Sequence, residues 1–229
     1  MSRELGRREL MGTAGVAAVA AAMGAAQAQP GGTSGMKIIG VSTSARMGKT
    51  TAAAVSLCLA AAKEAVDGVE TELIELADLS IPAQLAAGQP LREGETDDFP
   101  AVAAKLSDPA VAGIIVGSPV YFGNMSALCK AFIDRCITFR KDNFRLRDKV
   151  AGIVAVGSTR NGGQELTVQS IQAALQSQDL VVVGTGKPSA RIGATLWNRD
   201  DTIDGDEFGQ GTARDLGRRV AELAARLGR

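Results

Sequence analysis

A short segment near residue 45 combines the residue types that bind anions. The sequence VSTSARMGKTT, residues 41–51, places hydroxyl groups, two cations and a glycine between an apolar run and an Ala-rich run. These runs predict a strand and a helix, and free backbone N–H groups and the helix dipole favour an anion at such a junction. Hydroxyl and charged donors strengthen the site. We therefore predict a phosphate site formed by Ser42, Ser44, Arg46, Gly48, Lys49 and Thr50.

The end of this segment also matches the nucleotide-binding P-loop, G-x-x-x-x-G-K-[ST], at residues 48–50. Thr43 stands where that motif needs its first glycine. A P-loop ATPase also needs an apolar strand that ends in Asp to hold magnesium, whereas the later apolar runs end at Ser118 and Gly157. A P-loop nucleotide-binding protein is therefore a disfavoured alternative for the same segment.

A second cluster follows the buried apolar run AVAGIIVGSPV. It contains Tyr121, the only tyrosine of the chain, with Phe122 beside it. Two adjacent aromatic residues at the end of a buried strand cannot both enter the core, so at least one is expected to line a cleft and cover a flat ligand. The alternative is ordinary packing between helix and sheet. The residues expected to cup the flat group are Pro119, Val120, Tyr121, Phe122, Gly123, Asn124 and Met125.

A third, glycine-rich segment follows the next apolar run. Glycine lets the backbone approach a ligand closely, because it carries no side chain. The residues expected to face the ligand from this side are Gly157, Asn161, Gly162 and Gly163. Together the three segments predict a ligand that carries both a phosphate and a flat ring system.

Apolar runs and helical patterns alternate from Lys37 onward and would position these segments. Five segments are predicted to form strands: KIIGVST, VETELIEL, AVAGIIVGSPV, KVAGIVAVGS and LVVVGTG. A Pro- and Gly-rich excursion covers residues 77–101, a short helix is predicted over residues 99–106, and another helix is predicted to begin near Asn124.

Such alternation implies a parallel sheet with right-handed crossovers. The expected fold class is α/β: a flavodoxin-like three-layer sandwich with a five-stranded parallel sheet of order 2-1-3-4-5. In that order, ligands bind beyond the carboxyl ends of the strands, at the switch point between strands one and three. The three candidate segments all follow strands at this end of the sheet.

Composition excludes several kinds of chemistry. The 229 residues include 25 basic and 25 acidic side chains, a balance that gives no electrostatic reason to expect a nucleic-acid partner. There is no histidine, which removes Ser-His-Asp and Cys-His catalysis, His-bound zinc and His-ligated haem. The cysteines Cys58, Cys129 and Cys136 form no C-x-x-C motif and are interpreted as small packing residues. No metal site is predicted.

The first thirty residues have the layout of an export signal. Arg7 and Arg8 precede a weakly apolar Ala/Gly run, and Ala26-Gln27-Ala28 forms a small-x-small cleavage site. The run is too short and too Ala-rich for a stable membrane span. The arginine pair resembles a twin-arginine signal, which implies export of an already folded protein to the periplasm. We expect a signal peptide over residues 1–28, a flexible leader over 29–35 and one flavodoxin-like domain over 36–229.

Of the three segments, the second has the most specific similarity to a known family. GSPVYFGNMSALCKAFIDR, residues 117–135, is very similar to the signature segment of the NADPH-dependent FMN reductase-like family of flavodoxin-fold flavoproteins. The first loop of that family reads G-S-P-R-x-x-x-N-T; Ser44, Arg46 and Thr50 match its phosphate-binding residues, while Ala45 and Lys49 replace the proline and the asparagine. GSTRNGGQELT resembles the G-G-Q-E segment that lies near the isoalloxazine ring, and the C-terminal DEFGQGTARDLGRRVAEL resembles the closing helix.

This resemblance implies FMN as cofactor and an NAD(P)H oxidoreductase of the flavin or quinone reductase kind. FMN would carry the chemistry, so no catalytic side chain is expected. The expected partners are a small-molecule electron donor, for which NAD(P)H is a candidate, and a small-molecule acceptor, with a homo-oligomer left open. A non-enzymatic flavodoxin-like electron carrier is a second alternative, although such carriers are usually strongly acidic and this chain is neutral.

Overall fold

The computed structural model describes residues 35–228. The predicted signal peptide lies outside the described residues, as does the predicted leader except for residue 35. The strands are β1 (Lys37–Ser42), β2 (Glu70–Glu75), β3 (Val111–Tyr121), β4 (Asn124–Met125), β5 (Val150–Gly157), β6 (Val181–Val182) and β7 (Ala194–Trp197). The helices are α1 (Thr50–Ala65), α2 (Phe99–Leu106), α3 (Ala127–Arg135), α4 (Ile137–Lys141), α5 (Gln164–Gln176) and α6 (Glu207–Arg226), with a 3-10 helix at Ala83–Ala87. No helix within residues 35–228 is long and apolar enough to cross a bilayer.

The strands form a parallel sheet, to which only β4 adds an antiparallel pair. β2, β1, β3, β5 and β6 follow one another in that order, and β7 also pairs with β5. β5 is the fourth predicted strand, and β6 and β7 share the position of the fifth. The flavodoxin-like α/β fold with order 2-1-3-4-5 is therefore confirmed, and β2 lies at one edge of the sheet.

The predicted fifth strand is wrong in its extent. LVVVGTG was expected to form one strand, but only Val181–Val182 pair with β5. The chain then leaves the sheet and returns as β7, which pairs with residues 154–157. The excursion folds back on itself, because the N–H of Thr185 donates to the carbonyl oxygen of Arg191 at 2.9 Å and the N–H of Arg191 donates to Thr185 Oγ1 at 2.7 Å. Only a glycine fits at position 184, where a Cβ would overlap that same carbonyl oxygen.

Two apolar cores cover the two faces of the sheet. β1 supplies Ile39 to the core under α2–α5, which also contains Phe132, and supplies Ile38 to the core under α1 and α6, which also contains Leu216. Strands buried on both faces read as continuous apolar runs, which is why their positions could be predicted. The two cores fix the sheet, and with it the positions of the loops at the carboxyl ends of its strands.

Helices α1 and α6 pack against each other at very short range. Gly217 of α6 lies directly over the backbone of α1, so that a Cβ at this position would overlap the carbonyl oxygen of Cys58. Gly217 is buried, and alanines line much of the same contact. A glycine inside a helix costs roughly 0.5–1 kcal/mol relative to alanine. Here that cost is offset by the close approach that the missing side chain permits.

A buried ion pair attaches the excursion before α2 to helix α3. The Arg135 guanidinium donates to both carboxylate oxygens of Asp97, each at 2.8 Å, and also to the carbonyl oxygen of Pro82 at 3.2 Å. The same guanidinium lies 4.7 Å from the ring centroid of Phe99. The hydrogen bonds from Arg135 hold the pKa of the Asp97 carboxyl below its ordinary value.

We expect Asp97→Asn to lower the free energy of unfolding by about 2–3 kcal/mol, because it leaves a mostly buried guanidinium without its countercharge. Urea denaturation at neutral pH measures this loss. Asp134→Asn is the matched control, since Asp134 pairs with Lys130 on an exposed helix face, where such pairs contribute about 0.3–0.5 kcal/mol. Equal effects of the two substitutions would show that the Asp97 pair does not anchor the excursion.

The same pair makes stability depend on pH. Because the pKa of Asp97 is lower in the folded state, its contribution is complete above the ordinary Asp pKa of about 3.9 and is lost as the pH falls through the folded pKa. The difference in unfolding free energy between the wild type and Asp97→Asn should therefore shrink in acid. A difference that stays constant down to the acid limit would contradict this assignment.

Candidate functional site

The three predicted segments lie together at the carboxyl ends of β1, β3 and β5. We call them loop one (residues 43–49), the hairpin (residues 119–126) and loop three (residues 158–163). Loop one is tied to β3, since the N–H of Thr43 donates to the carbonyl oxygen of Gly117 at 2.9 Å. It is also tied to the hairpin, because Ser126 Oγ donates to the carbonyl oxygen of Thr43 at 2.8 Å. Loop three contacts the hairpin where Gly163 meets Gly123.

Hydrogen-bond donors at the two ends of loop one, in β1 and at the start of α1, are left unused by residues 35–228. Ser42 Oγ is buried and has no hydrogen-bond partner among residues 35–228. Helix α1 begins after Lys49 without a side-chain cap and without an acidic residue in its first turn, so its first N–H groups lack the usual acceptor. Thr43, in contrast, donates its hydroxyl hydrogen to the carbonyl oxygen of Gly117, whereas Ser44 Oγ only accepts, from the N–H of Arg46. The loop therefore has free donors suited to an anion.

Carboxylates from elsewhere in the chain already lie on this loop. Asp201 accepts a hydrogen bond from Arg46 at 2.6 Å and lies 3.3 Å from the ammonium of Lys49. Glu75, at the end of β2, accepts a hydrogen bond from the backbone N–H of Gly48 at 2.8 Å. The hydrogen bond from Arg46, followed by that from Lys49, holds the pKa of Asp201 below its ordinary value. Both carboxylates therefore interact with donors of the loop that is predicted to bind phosphate.

Sequence reasoning did not predict Asp201 or Glu75 as parts of the site. Asp201 follows Arg46 by 155 residues, and no local pattern links the two. Glu75 could have been found, because it pairs in register with Ser42 at the end of the neighbouring parallel strand.

The second segment is a β-hairpin, not a loop that leads straight into a helix. β3 extends to Tyr121, which pairs with Asn124, and Val120 pairs with Met125. Phe122 and Gly123 form the two-residue turn with φ values of 51° and 72°, the combination typical of a type I′ hairpin turn. The predicted helix start near Asn124 is therefore wrong.

Helix α3 begins at Ala127 because Ser126 caps it. The side-chain oxygen of Ser126 accepts a hydrogen bond from the N–H of Cys129 at 3.0 Å, and serine is among the preferred residues at this capping position. Asn124 and Met125 are left to form the return strand of the hairpin.

Both aromatic residues of the hairpin lie at the surface. Tyr121 is half exposed, and Phe122 is fully exposed at the tip. Phe122 also has a left-handed backbone conformation, which is uncommon for a bulky residue and tends to occur at functional positions. The alternative of ordinary helix–sheet packing is wrong for this pair.

Loop three is held against the hairpin by backbone contact. A Cβ on Gly163 would lie 2.7 Å from Cα of Gly123, and φ of Gly163 is 99°. Gln164 shapes the rest of the loop, since Nε2 donates to the carbonyl oxygen of Thr159 at 2.6 Å and Oε1 accepts from the N–H of Gly162 at 2.8 Å. The Gln164 side chain is buried and lies against Gly157. Gln164 was not among the predicted site residues, although the G-G-Q-E resemblance pointed to it.

Comparison with known proteins identifies the family of this chain. The family model for NADPH-dependent FMN reductase matches residues 36–194. An iron–sulfur flavoprotein from Methanocaldococcus jannaschii is 40% identical over 192 residues, which cover 82% of this chain and 97% of the relative. An NAD(P)H dehydrogenase (quinone) from Chromohalobacter salexigens is 29% identical over 179 residues, which cover 71% of this chain and 85% of the relative.

The fold has solved counterparts as well. The WrbA-like flavodoxin from Agrobacterium tumefaciens superposes with a TM-score of 0.57 at 21% identity, covering 84% of this chain and 98% of the other. The family model covers most of the described residues, and the match to the archaeal relative spans nearly that protein's whole length. The chain therefore belongs to the NADPH-dependent FMN reductase family and is an FMN-dependent oxidoreductase.

Proposed function

We propose that FMN binds across loop one, the hairpin and loop three, and that the enzyme passes two electrons from NAD(P)H to a small quinone. The observation that carries this proposal is the pair of cations in loop one, Arg46 and Lys49, which share the carboxylate of Asp201. A phosphate offers these cations the same kind of acceptor. The buried, unpartnered Ser42 hydroxyl and the uncapped start of α1 fit the same group.

The residues of the three loops have distinct roles in this proposal. Ser44, Arg46, Lys49 and Thr50 hold the phosphate. Residues 119–125 of the hairpin cup the ring, and Gly157 with residues 161–163 face it from the other side. When bound, FMN supplies a two-electron acceptor and donor. The chain itself contributes position, and backbone N–H groups of the hairpin favour negative charge on the reduced ring.

The described cysteines do not fit an iron–sulfur cluster, the group for which the archaeal relative is named. Such clusters are usually held by four Cys thiolates, and this chain has three cysteines. Cys58 packs in the core under α1 and α6, whereas Cys129 and Cys136 pack on the opposite face of the sheet. Burial raises the pKa of Cys129 to about 11 and the pKa of Cys58 further still, so these thiols stay protonated and are poor ligands. The proposed chemistry therefore uses FMN alone.

An absorption spectrum and a turnover assay test the function together. We expect the purified protein to carry flavin bands, to release FMN on denaturation and to oxidise NADPH or NADH when naphthoquinone is added. Dithionite reduces the flavin whatever the natural donor is, and so separates a wrong donor from a missing cofactor. Flavin that dithionite reduces but that naphthoquinone does not reoxidise would favour the electron carrier. Colourless protein that hydrolyses ATP with magnesium would favour the P-loop alternative.

Removing the internal carboxylate from loop one should strengthen FMN binding. We expect Asp201→Asn to raise the affinity roughly two- to fivefold, because an exposed ion pair is a weak competitor. FMN titration by fluorescence quenching measures the change, and riboflavin, which lacks the phosphate, should bind unchanged. Asp200→Asn is the matched control, since Asp200 is exposed and lies beside Arg199 instead. Weaker FMN binding by Asp201→Asn would mean that Asp201 helps to hold the cofactor.

We also propose that residues 1–28 direct folded, FMN-loaded protein to the periplasm by the twin-arginine route and that the flavodoxin-like domain covers residues 36–229. The paired arginines, the weakly apolar run and the small-x-small site at residues 26–28 support this. Replacing Arg7 and Arg8 by lysine should leave precursor in the cytoplasm. Normal export of that double variant would contradict the route.

A further inference from the structure

A cavity of about 490 Å³ lies next to loop three and is distinct from loop one. Loop three, the start of α5, β7 and the start of α6 contribute its walls. Its volume lies within the range of sites for small molecules. The walls include Arg160, Glu165, Leu166, Arg191 and Phe208.

Arg191 carries a positive charge that no described residue neutralises. Its guanidinium lies 5.5 Å from the ring centroid of Phe208, and its side chain makes no hydrogen bond or ion pair within residues 35–228. The other arginine of the cavity, Arg160, is paired with the buried carboxylate of Asp206. Glu165 also lines the cavity, but it lies in the first turn of α5, where the positive end of the helix dipole offsets part of its charge. The site therefore offers Arg191 to an anion.

The cavity also exposes apolar surface. Leu166 is 60% exposed and Phe208 is 53% exposed, so neither side chain is buried by packing against the rest of the protein. A guanidinium beside an aromatic face suits a planar anion, because the ring stacks while the charge pairs. Leu166 also reaches the hairpin, since its Cδ1 lies 3.8 Å from the position that a Cβ on Gly123 would occupy. The cavity thus adjoins the surface on which we place the flavin ring.

We propose that this cavity binds the electron acceptor and that the acceptor is a quinone with an anionic substituent. Arg191 pairs with the anionic group, and Phe208 contacts the ring. This inference rests on the proposed function. NAD(P)H loses a hydride and becomes NAD(P)⁺, while the quinone gains two electrons and two protons, one of them from solvent, and becomes the hydroquinone.

Kinetics with a matched pair of quinones tests the proposal on the FMN-loaded enzyme. We expect Arg191→Gln to raise the KM for a sulfonated naphthoquinone about tenfold or more, the loss typical of a charged hydrogen bond. The KM for unsubstituted naphthoquinone and the kcat should stay close to wild type. Arg191→Lys should recover part of the effect because it keeps the charge. Arg214→Gln, on the same helix as Phe208 and outside the cavity wall, should change neither KM.

The Arg191 side chain can be replaced without disturbing its loop. Its backbone N–H and carbonyl make the hydrogen bonds to Thr185, and these remain in Arg191→Gln and Arg191→Lys. A redox-inert naphthalene sulfonate provides a binding readout that needs no turnover. Calorimetry should show that it binds the wild type, with FMN or without it, and that Arg191→Gln and Phe208→Ala each bind it more weakly.

The outcomes separate this inference from the proposed function. Failure of the wild type to reduce unsubstituted naphthoquinone concerns the function itself, whereas the calorimetric result does not depend on it. Unchanged sulfonate binding and unchanged KM values in Arg191→Gln would overturn the inference. A higher KM for NADPH, with both quinones unaffected, would also overturn it, because the cavity would then take a phosphate of the donor.

Discussion

Replacing Arg46 and Lys49 together by alanine is expected to weaken FMN binding about tenfold to a hundredfold. Two hydrogen bonds to a charged group are lost, and each would contribute about 1.5–3 kcal/mol where solvent is excluded. Because both side chains are nearly half exposed, solvent screens them, and the loss for the two together falls to about that of one such bond. FMN titration by fluorescence quenching measures the loss.

Two comparisons make this result specific for the phosphate. Riboflavin should bind the double variant as it binds the wild type, because it has no phosphate to lose contact with. Added salt should weaken FMN binding to the wild type more than to the variant. If riboflavin and FMN bind the wild type equally well, the phosphate site is not loop one.

Replacing Gly217 by alanine is expected to lower the free energy of unfolding by about 3 kcal/mol. Overpacking a core typically costs 1–3 kcal/mol, and here the added methyl group meets the backbone of α1 instead of a flexible side chain. The gain in helix propensity, about 0.5–1 kcal/mol, is smaller and does not reverse the sign. Urea denaturation followed by circular dichroism measures the loss.

Gly211 supplies the control on the same helix. A Cβ at Gly211 meets nothing within 4 Å, so Gly211→Ala should gain the propensity term without the clash and stabilise the protein by about 0.5–1 kcal/mol. If the two Gly→Ala substitutions change the free energy of unfolding in opposite directions, the difference is due to the contact with Cys58. A Gly217→Ala variant as stable as Gly211→Ala would show that α6 can move away from α1 at no cost.

The parts of the fold that could be predicted are those that local pattern specifies. β1, β3 and β5 are continuous apolar runs because both faces of the sheet are covered. Helix α2 was predicted at its observed bounds, Phe99–Leu106. The fifth strand position was not predicted correctly, because hydrogen bonds between Thr185 and Arg191 pull the chain out of the sheet. The pattern of LVVVGTG contains no sign of that contact.

Like the fold, the candidate site has parts that could be predicted from the sequence and parts that could not. The three loops could be located because the carboxyl ends of parallel strands meet at one edge of the sheet. The hairpin was missed because the turn at Phe122-Gly123 needs positive φ at phenylalanine, which residue preference does not favour. Asp201 was missed because its contact with Arg46 depends on where the chain returns after β7. The contact between Arg46 and Asp201 joins distant segments, which single-sequence patterns do not encode.

The edge position of β2 has a consequence for solubility. An open edge strand presents unpaired backbone groups to which a strand of another molecule can add, which is a route to aggregation. β2 carries three carboxylates in six residues, Glu70, Glu72 and Glu75, so a second copy brought edge to edge would meet like charge. Hydrogen bonds from Lys105 and then Lys37 hold the pKa of Glu72 below its ordinary value, and this carboxylate therefore stays ionised in acid after others have been neutralised. Glu72 is paired with both lysines, so this cluster of one carboxylate and two ammonium groups keeps a net positive charge in acid, and the edges of two copies still repel each other.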